Sequence, residues 1–80
     1  MKFNYYKETD SLYIDLSEKA SVDSKEVVEG VVLDFDKEGH IVGIDIDNAS
    51  RLVNLSRLET KGIPLREFRA LTSDTGNINI

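Results

Sequence analysis

The chain has 80 residues and a mass of 9.0 kDa, which is enough for one domain and too short for a second. It contains no cysteine, so disulfide bonds and thiolate metal sites are excluded. Ten Lys and Arg stand against fifteen Asp and Glu, and the net charge of −5 argues against a monomer that binds nucleic acid along its surface.

No apolar run exceeds three residues, whereas a membrane-spanning helix needs about 20. Residues 2–7 mix polar and aromatic side chains, unlike the apolar block of a secretory signal. Together with the absence of cysteine, these features favour a cytoplasmic protein that is not bound to a membrane.

The first half of the chain alternates apolar and polar residues with a period of two, which is typical of half-buried strands. A strand is predicted at about residues 2–6. A second is predicted at about residues 11–17, where Leu12, Ile14 and Leu16 share one face.

Three further strands are predicted at about residues 25–29, 31–36 and 40–46. Gly30 marks either a bulge in one long strand or a turn between two strands. Gly39 closes a short polar loop, so the last two strands are expected to form an antiparallel hairpin.

The pattern then changes to helical spacing. Asp47 and Asn48 are typical helix-capping residues, and Ala49 and Leu52 begin an apolar stripe. A helix is predicted at about residues 48–60, ending before a glycine and a proline.

These elements predict an α+β fold, namely a small antiparallel β-meander of four to five strands with one C-terminal helix packed on it. Residues 1–71 are expected to form a single compact domain, and residues 72–80 a loose tail. Val28, Val32 and Ile41 lie opposite the main apolar face, and one helix cannot cover both faces. We therefore expect a homodimer.

The acidic hairpin is a candidate divalent-cation site. Asp34, Asp36 and Glu38 match the first, third and fifth ligand positions of an EF-hand calcium loop, and Asp45 falls on the twelfth. The flanking segments read as strands, whereas the motif requires helices. The preferred interpretation is therefore an acidic turn, with a cation-binding module at residues 34–45 as the alternative.

His40 is the single histidine, and Asp36 or Glu38 could orient it as the general base of a small hydrolase. The sequence supports no Ser-His-Asp arrangement around it and contains no phosphate-binding glycine loop. The preferred interpretation is a partly solvated residue at the start of a strand, in a protein that is not an enzyme.

Two groups of residues are candidates for partner binding. Tyr6 and Tyr13 have the parity opposite to the core, so they form an exposed aromatic surface, a cross-strand pair or an oligomer contact. Arg51 and Arg57 belong to a basic C-terminal part, which is a phosphate contact, a solvated helix face or a contact with the acidic surface of a second copy or partner. Residues 1–48 carry five Lys and twelve acids (−7), whereas the remainder carries five basic residues and three acids (+2).

Two blocks of the sequence stand out: YYKETDSLYI at residues 5–14 and GVVLDFDKEGHIVGIDIDNAS at residues 30–50. Together they resemble domain-of-unknown-function family 2283. The resemblance covers about residues 3–53 and implies a small prokaryotic β-rich module. This family has no established activity, so the resemblance assigns no catalytic residue and no cofactor. Some relatives are suspected of accompanying small toxin proteins, which implies a protein-interaction module that binds a small basic or toxin-like partner.

Overall fold

The computed structural model describes residues 1–71, and the predicted tail at residues 72–80 lies outside the described residues. The regular elements are β1 Lys2–Tyr6, β2 Ser11–Asp15, β3 Asp23–Val28, β4 Val31–Phe35, β5 Ile41–Ile46 and α1 Ala49–Leu52. Within residues 1–71, no helix has the length and apolar content needed to cross a bilayer.

The five strands form one antiparallel sheet with the order β1-β2-β5-β4-β3. The predicted fold class, an antiparallel sheet followed by one helix, is therefore confirmed. The strand order differs from that of a sequential meander, because β5 lies between β2 and β4. The segment that joins β2 to β3 thus crosses to the far edge of the sheet.

Glycines at positive φ form two of the tight turns. Gly30 has φ 85° and lies in the turn between β3 and β4, where Val28 pairs with Val31. The alternative of a bulge at Gly30 is thereby excluded. Gly39 has φ 83° and lies in the turn between β4 and β5, which form the predicted hairpin.

The strand registers place most apolar side chains on one face of the sheet, which we call the apolar face. Its members alternate along four strands: Phe3, Tyr5, Leu12, Ile14, Val31, Leu33, Phe35, Val42, Ile44 and Ile46. Of these, only Val42 and Ile46 on the central strand are buried. Within the described chain, no second layer of regular structure covers this face.

Helix α1 is much shorter than the predicted helix at residues 48–60. Val53 already has extended backbone angles. The side-chain oxygen of Asn54 then accepts hydrogen bonds from the backbone N–H and the hydroxyl of Ser56. Such local bonds compete with helical ones, which explains the early end. Residues 54–71 are exposed throughout and have no regular structure.

Candidate functional site

The turn between β4 and β5 is organised by the carboxylate of Asp36. Its Oδ1 accepts the backbone N–H groups of Glu38 and His40, each at 2.9 Å. The backbone N–H of Asp36 donates to the carbonyl of His40 at 2.9 Å. The side chain of Asp36 is only 3% exposed. Among the charged residues at positions 1–71, Asp36 is the one that is buried.

Three potential metal ligands meet at this turn. One ligand atom each from Asp36, Glu38 and His40 lies within 4.8 Å of the other two. We call these three residues the turn cluster. Lys19, from the segment between β2 and β3, lies beside it, with Nζ 4.0 Å from Asp36 Oδ2 and 3.6 Å from Glu38 Oε1.

The turn keeps Asp36 ionised. The hydrogen bond from the backbone of His40 is the main cause that lowers the pKa of Asp36 below its ordinary value, and burial opposes it. The bond from the backbone of Glu38 and the nearby charges of His40 and Lys19 lower this pKa further. The cluster therefore contains a charged carboxylate at neutral pH.

The four acidic residues of the EF-hand-like pattern are not brought together. Asp36 and Glu38 lie at the turn. Asp34 instead accepts hydrogen bonds on the sheet, and Asp45 pairs with Val32 and Tyr13 in the strand register. The flanking strands keep the chain straight at residues where an EF-hand loop would curl round an ion.

Tyr13 spans three strands on the face opposite to the apolar face. Its ring crosses β5 above Gly43, where a Cβ would overlap the ring and the hydroxyl. The hydroxyl donates to Asp34 Oδ2 at 2.7 Å, and Ser24 donates to Asp34 Oδ1 at 2.7 Å. The bond to Asp34 is the main cause that raises the pKa of Tyr13 to about 12, with burial as the second cause. The hydroxyl of Tyr13 is therefore engaged within the sheet.

The other candidate partner-binding residues are not linked to one another by a hydrogen bond or ion pair within residues 1–71. Tyr6 is an exposed residue at the end of β1, and Arg51 lies in α1, also at the end of the sheet away from the turn cluster. Arg57 forms an ion pair with Glu59 at 2.6 Å. The described structure thus does not join these residues into one basic or aromatic site.

Sequence reasoning missed two residues that shape these regions. Lys19 reaches the turn cluster from a distant polar loop, and Asp10 caps α1 from the turn between β1 and β2. Both are ordinary charged residues of polar loops. No local signal distinguishes them, because their roles depend on which strands pair.

The chain matches the model of the family described as "Protein of unknown function (DUF2283)" over residues 2–50. The matched region contains all five strands and the start of α1. No curated protein and no solved structure matches the chain. Because the family model covers more than half of the sequence, the chain belongs to the DUF2283 family.

Proposed function

We propose that this member of the DUF2283 family is a non-enzymatic assembly module that works as a homodimer, in which two copies pack their apolar faces together. The observation that carries the proposal is the lack of cover over the apolar face. On this face Phe3 is 50% and Tyr5 45% exposed, and the apolar residues of β2 and β4 are only partly buried. A sheet with one apolar face needs a second layer to be stable.

The distribution of charge favours a second copy as the occupant. Residues 1–48 carry −7, whereas residues 49–71 carry five basic residues and two acids, or +3. The hydrogen bonds that the described residues 54–71 make among themselves join positions only two apart. In the proposed two-fold dimer, the basic segment of each copy pairs with acidic loop residues of the other, and this attraction adds to the burial of the apolar faces.

The opposite face of the sheet is available for a different partner. Asp15, Asp34 and Asp45 share this face. Burial is the main cause that raises the pKa of Asp45, and the neighbouring charges of Asp47 and Asp34 raise it further. We propose that this acidic face binds a small basic protein.

A hydrolase is the less favoured function. The Nδ1 atom of His40 lies 3.5 Å from Asp36 Oδ2, which is beyond the range of a well-formed hydrogen bond. His40 is also largely exposed, so water would surround a base at this position.

Two substitutions in β1 provide the test of the dimer. Phe3 and Tyr6 are equally exposed, at 50% and 51%, but they lie on opposite faces of the same strand. Wild-type protein at micromolar concentration is expected to show twice the mass of the 9.0 kDa chain by light scattering. Phe3→Glu is expected to weaken the dimer by more than about tenfold, since the change occurs twice in each dimer. Tyr6→Glu is expected to leave it intact.

A monomeric wild-type protein would refute the homodimer, as would equal effects of the two substitutions. The acidic face is tested separately by titration with an oligolysine peptide. Binding that falls with added salt and weakens in Asp15→Asn/Asp45→Asn is expected. Binding unchanged by these substitutions would exclude the acidic face.

A further inference from the structure

We propose that the turn cluster of Asp36, Glu38 and His40 binds a divalent transition-metal ion such as Zn²⁺. This ligand set differs from the EF-hand-like one, because it replaces two sheet carboxylates with an imidazole. One nitrogen and two carboxylate oxygens suit zinc and its neighbours in the first transition series. Calcium prefers six to eight oxygen ligands, so it is not the expected ion.

The buried oxygen of Asp36 is the observation that points to a cation. Its Oδ1 is satisfied by two backbone N–H groups, but its Oδ2 is buried and has no hydrogen-bond partner among the described residues. This second oxygen lies 3.5 Å from Nδ1 of His40, inside the cluster. A buried carboxylate oxygen without a donor is unfavourable, and a bound cation would supply the missing interaction.

The cluster is arranged to receive an ion from solvent. Asp36 is held in place by the backbone of the turn, whereas the side chains of Glu38 and His40 are largely exposed and free to adjust. The ligand atoms are already within 4.8 Å of one another. Small rotations of the two exposed side chains would bring all three to metal–ligand distances of about 2.0–2.2 Å.

Lys19 is the competing cation. Its ammonium group lies nearest to Glu38 Oε1, at 3.6 Å, and approaches Asp36 Oδ2 at 4.0 Å. Its side chain is 60% exposed, so it can move into solvent when a metal ion enters. Removal of this positive charge is therefore expected to strengthen metal binding.

The test is calorimetric titration of the full chain, freed of metal with chelator, with Zn²⁺ alone. One ion per chain is expected at micromolar concentration. His40→Ala is expected to weaken binding by at least about tenfold, and Glu38→Gln to weaken it as well. Lys19→Gln is expected to strengthen it. Asp45→Asn, which removes a carboxylate outside the cluster, serves as the matched control and is expected to bind as the wild type does.

The side chains of the four substituted residues, Lys19, Glu38, His40 and Asp45, make none of the hydrogen bonds that hold the turn, and circular dichroism checks that each variant folds. The absence of Zn²⁺ binding to the wild type would overturn the proposal. So would binding that persists in His40→Ala, or binding that Lys19→Gln abolishes. Because the cluster lies outside the apolar face, Phe3→Glu is expected to bind Zn²⁺ normally, so failure of the dimer and failure of the metal site are distinguishable.

Discussion

Asp10 caps the helix through Ser50, forty residues away in the chain. Asp10 Oδ1 accepts the backbone N–H of Ser50 at 3.1 Å, and Oδ2 accepts its hydroxyl at 2.7 Å. The carbonyl of Asp10 also accepts the N–H of Ala49 at 2.8 Å. Asn48, at the N-cap position, makes no side-chain cap bond. The turn between β1 and β2 therefore supplies the cap that the helix does not supply itself.

The Ser50→Ala substitution tests this cap. We expect it to lower Tm by about 5 °C at neutral pH, because Asp10 loses the hydroxyl that it accepts. Ser56→Ala is the matched control, since the Ser56 hydroxyl bonds only to the nearby Asn54, and it is expected to change Tm little. Equal losses in the two variants, measured by thermal unfolding, would contradict the role of Asp10.

The same bond makes the contribution of the cap depend on pH. The hydroxyl of Ser50, and then that of Tyr5, lower the pKa of Asp10 below its ordinary value of 3.8. A carboxyl group whose pKa is lowered by folding stabilises the folded state above its ordinary pKa, and this stabilisation is lost as pH falls through the folded-state value. The difference in Tm between wild type and Ser50→Ala is therefore expected to shrink below pH 3.8.

Gly43→Ala tests the close packing of Tyr13 against β5. An added Cβ would overlap the Tyr13 ring, which must then move and release Asp34. We expect the free energy of unfolding to fall by about 1–3 kcal/mol, as in other overpacked sites. In a Tyr13→Val background, the same substitution is expected to cost much less. Chemical denaturation of the four proteins measures both costs, and equal costs would refute the contact.

Asp45→Asn tests whether the ionised carboxylate of Asp45 on the acidic face destabilises the folded state. Burial is the main cause of the raised pKa of Asp45, followed by the charges of Asp47 and Asp34. A carboxyl group whose pKa is raised by folding destabilises the folded state where it is ionised, and this cost is relieved as pH falls through the raised value. We expect Asp45→Asn to raise Tm by about 2 °C at neutral pH. The gain should disappear when Asp45 is protonated in the wild type, and an increase that persists in acid would contradict this origin.

The candidate site was only partly accessible from the sequence. The spacing of Asp36, Glu38 and His40 across a glycine turn is local, so the proximity of the acids to His40 followed from the predicted hairpin. The separation of Asp34 and Asp45 from the turn also followed from the strand pattern of the flanking segments. The hydrogen bonds of Asp34 did not follow, because its partners Tyr13 and Ser24 come from other strands. The position of Lys19 depends equally on where the segment after β2 runs.

By itself, the sequence determined the strands, the apolar face and the hairpin of β4 with β5. The alternation of apolar and polar residues and the glycines at turns are local signals that involve only a few neighbouring residues. The strands β1 at Lys2–Tyr6 and β5 at Ile41–Ile46 therefore lie where these signals predict them. Only the tertiary structure decided that β5 pairs with β2 and that Asp10 caps α1. These features depend on interactions between residues far apart in the chain, whose free energies outweigh local preferences and leave no local pattern.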